Sequence, residues 1–427
     1  IFLFDYSWCE RLMSLLRKNI LLLLMMQGAN YLIPLMTFPY LTRVLGVSQF
    51  GLYAVILTLS QYFVLVTDFG FNLSASKRIA QANGDKKTIS EIYWATISAK
   101  CLIGILCGSV VLAIYFFNVN NPDYNGVVFI LFTIAGSVFT PIWFFQGIEK
   151  ISALTLTNIT SRAMAIPLIL WLVTSTDDAN LAMLVQGAVA ILAATISQVL
   201  VYRSGIIIKI NFSFAATIFQ LKDSFPLFIS TVAISLYTMS TPVILKLVSN
   251  SYEVGLYGSA DRLRGALIGL FLVVGSAIYP RINNLFTTDK VAMYQLLRKI
   301  IIAKCSFALT IITGIWLFAP QLVALLLGEE FIAATDVLKV MSVQFFTVLM
   351  SVAMANYLLL PFGYRREYML LPIFTCLFHG GLCFFLAAKL GAIGGAISVT
   401  SVETISMCIL LYLTYSKGLL KGFSCKA

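Results

Sequence analysis

The sequence predicts an all-α polytopic membrane protein of about 12 transmembrane helices, built as two parallel six-helix repeats. Three observations carry this. The 427 residues are 60% hydrophobic and 11% charged, with a mean hydropathy of +0.93; a soluble globular chain is about 25% charged. The apolar residues fall in runs long enough to span a bilayer, which takes about 20 residues each. The first half of the chain also returns faintly in the second. Pro39 to Arg43 and Gly51-Leu-Tyr53 are matched by Pro242 to Lys246 and Gly255-Leu-Tyr257, at offsets of 203 (242 − 39) and 204 (255 − 51).

The spans read 20–42, 52–74, 93–117, 126–147, 153–173, 181–202, 225–248, 258–279, 300–327, 336–361, 369–388 and 393–415. Residues 20–202 form an N-terminal bundle and 225–415 a C-terminal one, joined by a basic linker over 203–224. Residues 1–19 and 416–427 are the two tails. Residues 1–12 read as an upstream extension or a start-site artefact, because Met13-Ser-Leu-Leu-Arg-Lys has the form of a normal start. The first apolar run follows Arg17 and Lys18 but continues to about Leu41 with no small-residue cleavage site. It is a helix, not a signal peptide. Phe145-Gln-Gly147 ends the fourth span and Pro361-Phe-Gly363 the tenth, a further match between halves. Parallel repeats of this kind are a transporter architecture with the substrate site between the halves.

Prolines interrupt the first span (Pro34, Pro39), the fourth (Pro141), the fifth (Pro167) and the seventh (Pro226, Pro242). Each removes a backbone bond and favours a kink. Static curvature tolerated by neighbouring helices is one reading. The matched positions in spans 1 and 7 favour bending that lets the halves rock.

The loop charges orient the chain. With the N-terminus inside, 20 Lys or Arg fall on the inner side, Lys77, Arg78, Lys209, Lys222 and Lys426 among them, and only Arg43 and Lys389 on the outer side. The outer loops carry Asp123, Asp177, Asp178, Glu253, Glu329 and Glu330 instead. This is a positive-inside pattern with both termini cytoplasmic. The net charge of +11 is thus a topology signal and implies no nucleic acid.

Seven cations remain inside spans: Lys100, Arg162, Lys246, Arg262, Arg264, Lys304 and Lys339. Only Asp68, Asp261, Asp336 and Glu403 share that environment. A charge at bilayer depth normally faces a bundle interior or water. Lys100, Arg162 and Glu403 are too deep to snorkel, so Lys100 and Arg162 either line a polar cavity or pair with carbonyls or Asp68. Lys246, Arg262, Arg264 and Lys339 lie nearer the outer ends, where snorkelling competes with a cavity role. Asp261 and Arg264 are spaced i,i+3 and can pair. Arg262 is about 100° round the helix from Asp261 and about 160° from Arg264, so the two arginines diverge. Asp336 and Lys339 can neutralise each other. Lys304, near the inner end of span 9, reads as a topology charge. Asp68, Asp261 and Glu403 are candidate counter-ions or proton-coupling groups.

Enzymatic chemistry finds no support. There is no phosphate-binding glycine loop, no metal-ligand cluster, no Ser-x-x-Lys and no loop large enough for a catalytic domain. The eight cysteines, Cys425 among them, form no Cys-x-x-Cys pair and read as packed thiols. The single histidine, His379, reads as a packing or hydrogen-bonding group between helices. No cofactor is implied.

The segment from Pro39 to Ala80, PYLTRVLGVSQFGLYAVILTLSQYFVLVTDFGFNLSASKRIA, resembles the N-terminal signature of the Wzx-type O-antigen flippases. These belong to the polysaccharide transporter branch of the multidrug/oligosaccharidyl-lipid/polysaccharide exporter superfamily. Trp143-Phe-Phe-Gln-Gly147 with Glu149, and Asn356-Tyr-Leu-Leu-Leu-Pro361 with Gly363, resemble that family's fourth and tenth helix ends. The resemblance implies a MATE-like, V-shaped pair of bundles in a bacterial inner membrane. It implies transfer of undecaprenyl-pyrophosphate-linked oligosaccharide repeat units from the cytoplasmic to the periplasmic leaflet by alternating access. Other glycan-assembly proteins, such as a polymerase or a chain-length regulator, are implied partners, with membrane lipid. It also implies a cation-lined cavity, for which Arg43, Lys100, Arg162, Lys246, Arg262 and Arg264 are the available residues. Arg43 lies in the motif itself. Two alternatives stand beside this reading: a multidrug exporter of the same superfamily, whose cavity should be apolar or acidic, and a membrane enzyme of glycan assembly, which needs a large outer loop. A major-facilitator sugar carrier does not fit, because Ser76 to Lys87 lacks its loop motif.

Overall fold

The computed structural model describes residues 6–207 and 212–423. Lys209, Lys426, Cys425, residues 1–5 of the N-terminal extension and the middle of the linker lie outside the described residues. Among the described residues there are helices and turns and no β-strand. The helices are α1 (Tyr6–Asp68), α2 (Phe71–Gln81), α3 (Lys86–Phe117), α4 (Ile130–Phe139), α5 (Ile142–Gly147), α6 (Ile151–Ala163), α7 (Ala165–Leu172) and α8 (Ala179–Arg203). They continue with α9 (Phe214–Met239), α10 (Thr241–Val248), α11 (Ser251–Thr288), α12 (Lys290–Leu326), α13 (Ala334–Ser342), α14 (Gln344–Met354) and α15 (Arg365–Ser416). Residues Pro122–Phe129 form a 3-10 stretch leading into α4.

Among the described residues, eight segments are long and apolar enough to cross a membrane: Gly28–Gln81, Lys86–Phe117, Pro122–Gly147, Ile151–Leu172, Thr176–Arg203, Lys290–Leu326, Ala334–Leu359 and Leu370–Ser416. Two of them fold back on themselves. In α1 the chain breaks at Gly46, whose φ of 67° and ψ of 175° suit a residue without Cβ. A straight helix would hold Phe38 and Phe50 about 18 Å apart, but their ring centroids are 5.6 Å apart. In α15 the break is at Gly391, with φ 58°. His379 and Ser398, 19 residues apart, are within 3.2 Å across it, where a straight helix would separate them by about 28 Å.

The chain forms two compact units, each interleaved in sequence. One comprises Ile1–Pro34, Leu59–Thr174 and Asn180–Val232; the other comprises Leu35–Thr58, Ser175–Ala179 and Ala233–Ala427. The first has an aromatic core in which Trp143, Phe144, Phe145, Tyr93 and Phe71 are buried. The second has a core around Tyr357, Leu358, Leu359, Met293 and Leu410, with the Tyr357 hydroxyl donating to the Gly275 carbonyl at 3.1 Å. The two helix-end motifs that carry the family resemblance are therefore packing motifs. Leu106, Phe116, Trp171, Leu325, Leu377 and Phe385 lie exposed on helix exteriors, as expected of surfaces facing hydrocarbon.

The sequence repeat reappears as a contact within the second unit. A Cβ on Gly51 would overlap the Ser251 carbonyl and lie 2.7 Å from the Gly255 nitrogen. A Cβ on Gly255 would overlap the Val47 carbonyl. With the offset of 204, Val47 corresponds to Ser251 and Gly51 to Gly255. The two contacts are thus each other's image, as at a two-fold axis. Here the helix that follows Gly46 meets the start of α11, backbone against backbone.

The prolines act unequally. Pro141 separates α4 from α5, and Thr140 before it is extended at ψ 95°. Pro167 cannot bond the Ala163 carbonyl, and α6 ends there. Pro242 opens α10. Pro34, Pro39 and Pro226 sit inside continuous helix. The stretch after span 2 also differs from expectation. The chain turns at Phe69 (φ 44°) and Gly70 (φ 77°), and residues 71–81 form a helix. Its buried face of Phe71, Ser74, Ala75 and Ile79 packs on α5, where Gly147 admits the Ile79 side chain.

Asp85 caps α3, accepting from the Lys87 and Thr88 amides at 3.2 Å. The Thr88 hydroxyl, then these amides, hold its carboxyl below the ordinary 3.8. The folded value is the lower one, so the cap is fully formed above about 3.8 and is lost as pH falls through the folded value. Amide protection factors at Lys87 and Thr88 should drop over that range in the wild type and stay flat in Asp85→Asn.

Candidate functional site

In the first unit the cations that the sequence places inside spans are Lys100, which is buried, and Arg162. Lys100 is 1% exposed and forms an ion pair with Asp68 at 2.7 Å. Its ammonium also donates to the Ser137 carbonyl at 2.7 Å, and the Ser137 hydroxyl donates to Asp68 at 3.0 Å. The reason lies in Pro141. Four residues after Ser137, it has no N–H to give that carbonyl, which accepts instead from the Thr140 amide at 3.3 Å and from Lys100. Asp68 ends α1, so this cluster ties the corner at Phe69 to α3 and α4.

Arg162 is different. It is half-buried at the end of α6, and among the described residues its guanidinium has no hydrogen-bond or ion-pair partner. One turn earlier, on the same face, the buried Oδ1 of Asn158 also lacks a partner. Together they offer up to five donors and one acceptor on one helix face. Asn158 was not singled out from the sequence; its i,i+4 spacing from Arg162 was the available signal.

The second unit holds the other candidates. Arg43 donates to the Leu325 carbonyl at the end of α12. Lys246 donates to the Ser251 hydroxyl at 2.6 Å. Arg262 and Arg264 diverge. The Arg262 guanidinium lies over three rings, Phe50 at 5.1 Å, Tyr53 at 5.2 Å and Phe38 at 5.7 Å, contacts of the cation–π type. Arg264 donates to Asp261 at 2.6 Å and to the Gln344 side-chain oxygen. Gln344 in turn donates to Thr400 at 2.7 Å. Glu403 is near enough to act electrostatically on Arg264. Arg264 thus sits in a polar network linking α11, α14 and α15. Gln344 and Thr400 are uncharged, so a search for buried charge passes over them.

Lys304 is buried at 6%, donating to the Leu349 carbonyl at 3.4 Å with the Tyr357 ring 4.9 Å away. It packs inward where a topology charge would reach for the surface. His379 is fully buried and joins helices through Thr241 at 3.1 Å and Ser398 at 3.2 Å. Among the described residues no His, Cys, Asp and Glu group could hold a metal ion.

Comparison with known proteins bears on this arrangement. Residues 16–286 match the family described as "Polysaccharide biosynthesis protein". The chain is 32% identical to a protein of Escherichia coli (strain K12) over 95% of its own length and 98% of that protein's. The chain belongs to the polysaccharide biosynthesis protein family. The Escherichia coli member and one from Shigella dysenteriae, 28% identical over 93% of this chain and 99% of that protein, are both named "Putative O-antigen transporter". Among solved structures, an inward-facing multidrug resistance MATE family transporter matches with a TM-score of 0.70 at 14% identity, covering 92% of this chain and 96% of that one. A MATE protein in the straight conformation matches at 0.57 and 17% identity, covering 95% and 96%. The fold of this family member is therefore that of the MATE transporters, a multi-pass helical membrane fold.

Proposed function

We propose that this chain is a flippase that carries undecaprenyl-pyrophosphate-linked oligosaccharide repeat units from the cytoplasmic to the periplasmic leaflet by alternating access. Its class is membrane transport in polysaccharide biosynthesis, on a lipid-linked saccharide. Near-full-length similarity to two proteins named "Putative O-antigen transporter" supports the substrate class. The observation that carries the chemistry is the half-buried Arg162 guanidinium, without a hydrogen-bond or ion-pair partner among the described residues, one helical turn from the unpartnered Asn158 oxygen. A guanidinium binds phosphate bidentately, and an amide oxygen accepts from a sugar hydroxyl. Arg43, Lys246 and Arg262 add positive charge in the second unit. Lys100 and Arg264 have carboxylate partners and act as structural or coupling groups, with Asp68, Asp261 and Glu403 as their counter-ions. The chain crosses an inner membrane twelve times with both termini cytoplasmic: the eight apolar segments, two of them doubled at Gly46 and Gly391, plus α9–α10 and α11. The rocking bodies are the sequence repeats, 20–202 and 225–415.

Arg162→Ala should abolish surface glycan in a complemented null strain while the protein stays in the membrane. Loss of one charge-assisted contact corresponds to about 10- to 100-fold in affinity. A thiol-reactive, membrane-impermeant reagent should label Arg162→Cys. Normal glycan in the alanine variant, or complete protection of the cysteine, would remove Arg162 from the transport path. A multidrug exporter predicts instead that the null strain becomes drug-sensitive with its glycan intact.

A further inference from the structure

A cleft of about 260 Å³ opens beside the corner at Phe69, lined by Phe69, Leu221, Lys222 and Phe225. Its walls are set firmly. Phe69, a bulky residue held at φ 44°, stacks on Phe228 with ring centroids 4.3 Å apart. Gly70 lies so close to α9 that a Cβ there would be 3.0 Å from the Phe228 nitrogen. Ser74 and Ser224 share a 2.6 Å hydrogen bond. Arg78 bonds Gln220 and lies 4.9 Å over the Phe219 ring. The segment 69–78 thus runs antiparallel to residues 219–228 of α9. Phe225, on the cleft wall, nevertheless stays 51% exposed.

We propose that this cleft is a docking site for the first isoprene units of a polyprenyl phosphate, with the phosphate at Lys222. The proposal rests on the lipid-linked substrate of the preceding subsection and adds where its lipid end enters. Three aromatic or aliphatic walls and a lysine match an amphiphile with an apolar chain and an anionic head. The volume is below the roughly 300–1,000 Å³ of a pocket that encloses a drug-sized ligand, so it takes part of a chain and not an oligosaccharide. The flanking cations Lys77, Arg78 and Lys222 lie on the predicted cytoplasmic side, where the substrate is assembled. Asp223 is about 100° round the helix from Lys222 and is not part of the lining.

The test uses purified full-length protein in phosphatidylcholine nanodiscs titrated with undecaprenyl phosphate, with bound lipid counted by native mass spectrometry. Lys222→Glu and Phe225→Ser change exposed side chains, so both should fold. Each should bind at least about fivefold more weakly than wild type, the factor for one lysine at an anionic lipid surface. Lys421→Glu should bind like wild type. Equal binding by all four proteins would overturn the proposal. So would an equal loss of phosphatidylglycerol binding in Lys222→Glu, because the cleft would then be a general acidic-lipid site. Complementation of the null strain separates the two claims. A wild-type chain that fails to restore glycan sinks the flippase reading and leaves the binding result standing. Restored glycan with unchanged binding in the variants sinks the cleft alone.

Discussion

Gly51→Val and Gly255→Val should each remove most folded protein from the membrane, and Gly51→Ala and Gly255→Ala should lower the melting temperature sharply. The added methyl in either alanine variant meets backbone carbonyl oxygen, Ser251 in one case and Val47 in the other. Backbone in two packed helices cannot swing aside as a side-chain end can. Overpacking typically costs about 1–3 kcal/mol where side chains can yield, and here the helices themselves must separate. Gly265 supplies the control. It lies in the same helix with nothing near its missing Cβ, so Gly265→Ala should stabilise by roughly 0.5–1 kcal/mol through helix propensity. Fluorescence-detected size-exclusion melts of a tagged chain would read all of these. A Gly51→Ala protein that melts with the wild type would refute the close crossing. Because the two contacts are images of one another, the two alanine variants should fall by similar amounts.

Asp68→Ala should destabilise by about 3 kcal/mol, the lower part of the range for stranding one member of a buried ion pair. The lower part applies because Asp68 is 27% exposed and water screens it. Its partner Lys100, at 1% exposure, would keep only the Ser137 carbonyl. Lys100→Met alone leaves Asp68 with water and the Ser137 hydroxyl, and leaves the Ser137 carbonyl with the Thr140 amide at 3.3 Å, so it should cost less than Asp68→Ala. The double variant Asp68→Ala/Lys100→Met should be more stable than Asp68→Ala alone, because no bare ammonium is left inside. Equilibrium melts of the four proteins form a double-mutant cycle. Additive losses would show that the pair is uncoupled. Glycan export in a folded double variant would then separate a structural ion pair from a proton-coupling one, since only the latter needs Asp68 to titrate.

Much of this was legible in the residues. Hydropathy alone located the apolar segments, because an 18- to 20-residue apolar run has few other uses. The motif around Arg43 pointed to the family that residues 16–286 match. The i,i+3 spacing of Asp261 and Arg264 anticipated their pair, and the angle between residues 262 and 264 anticipated their divergence, because both follow from one helix's geometry. The helix over 71–81 was harder to read. Its Ser-Lys-Arg-rich stretch looks like a loop, and its apolar face becomes meaningful only when α5 lies against it. The inward packing of Lys304 and the aromatic surroundings of Arg262 were equally invisible, since both depend on residues far away in the chain.

The sequence by itself determined that this is a multi-pass helical membrane protein, that its halves repeat, and which residues carry charge into the apolar spans. Those properties are sums over local composition and spacing. The tertiary structure decided what each charge does. It gave Lys100 to Asp68 and to a carbonyl freed by a proline, Arg264 to a polar network and Arg262 to three rings, and it left Arg162, one turn from Asn158, without a hydrogen-bond or ion-pair partner among the described residues. A charge's partner is set by which helices meet and at what height. That is a property of packing between distant segments, and one helix's sequence does not contain it.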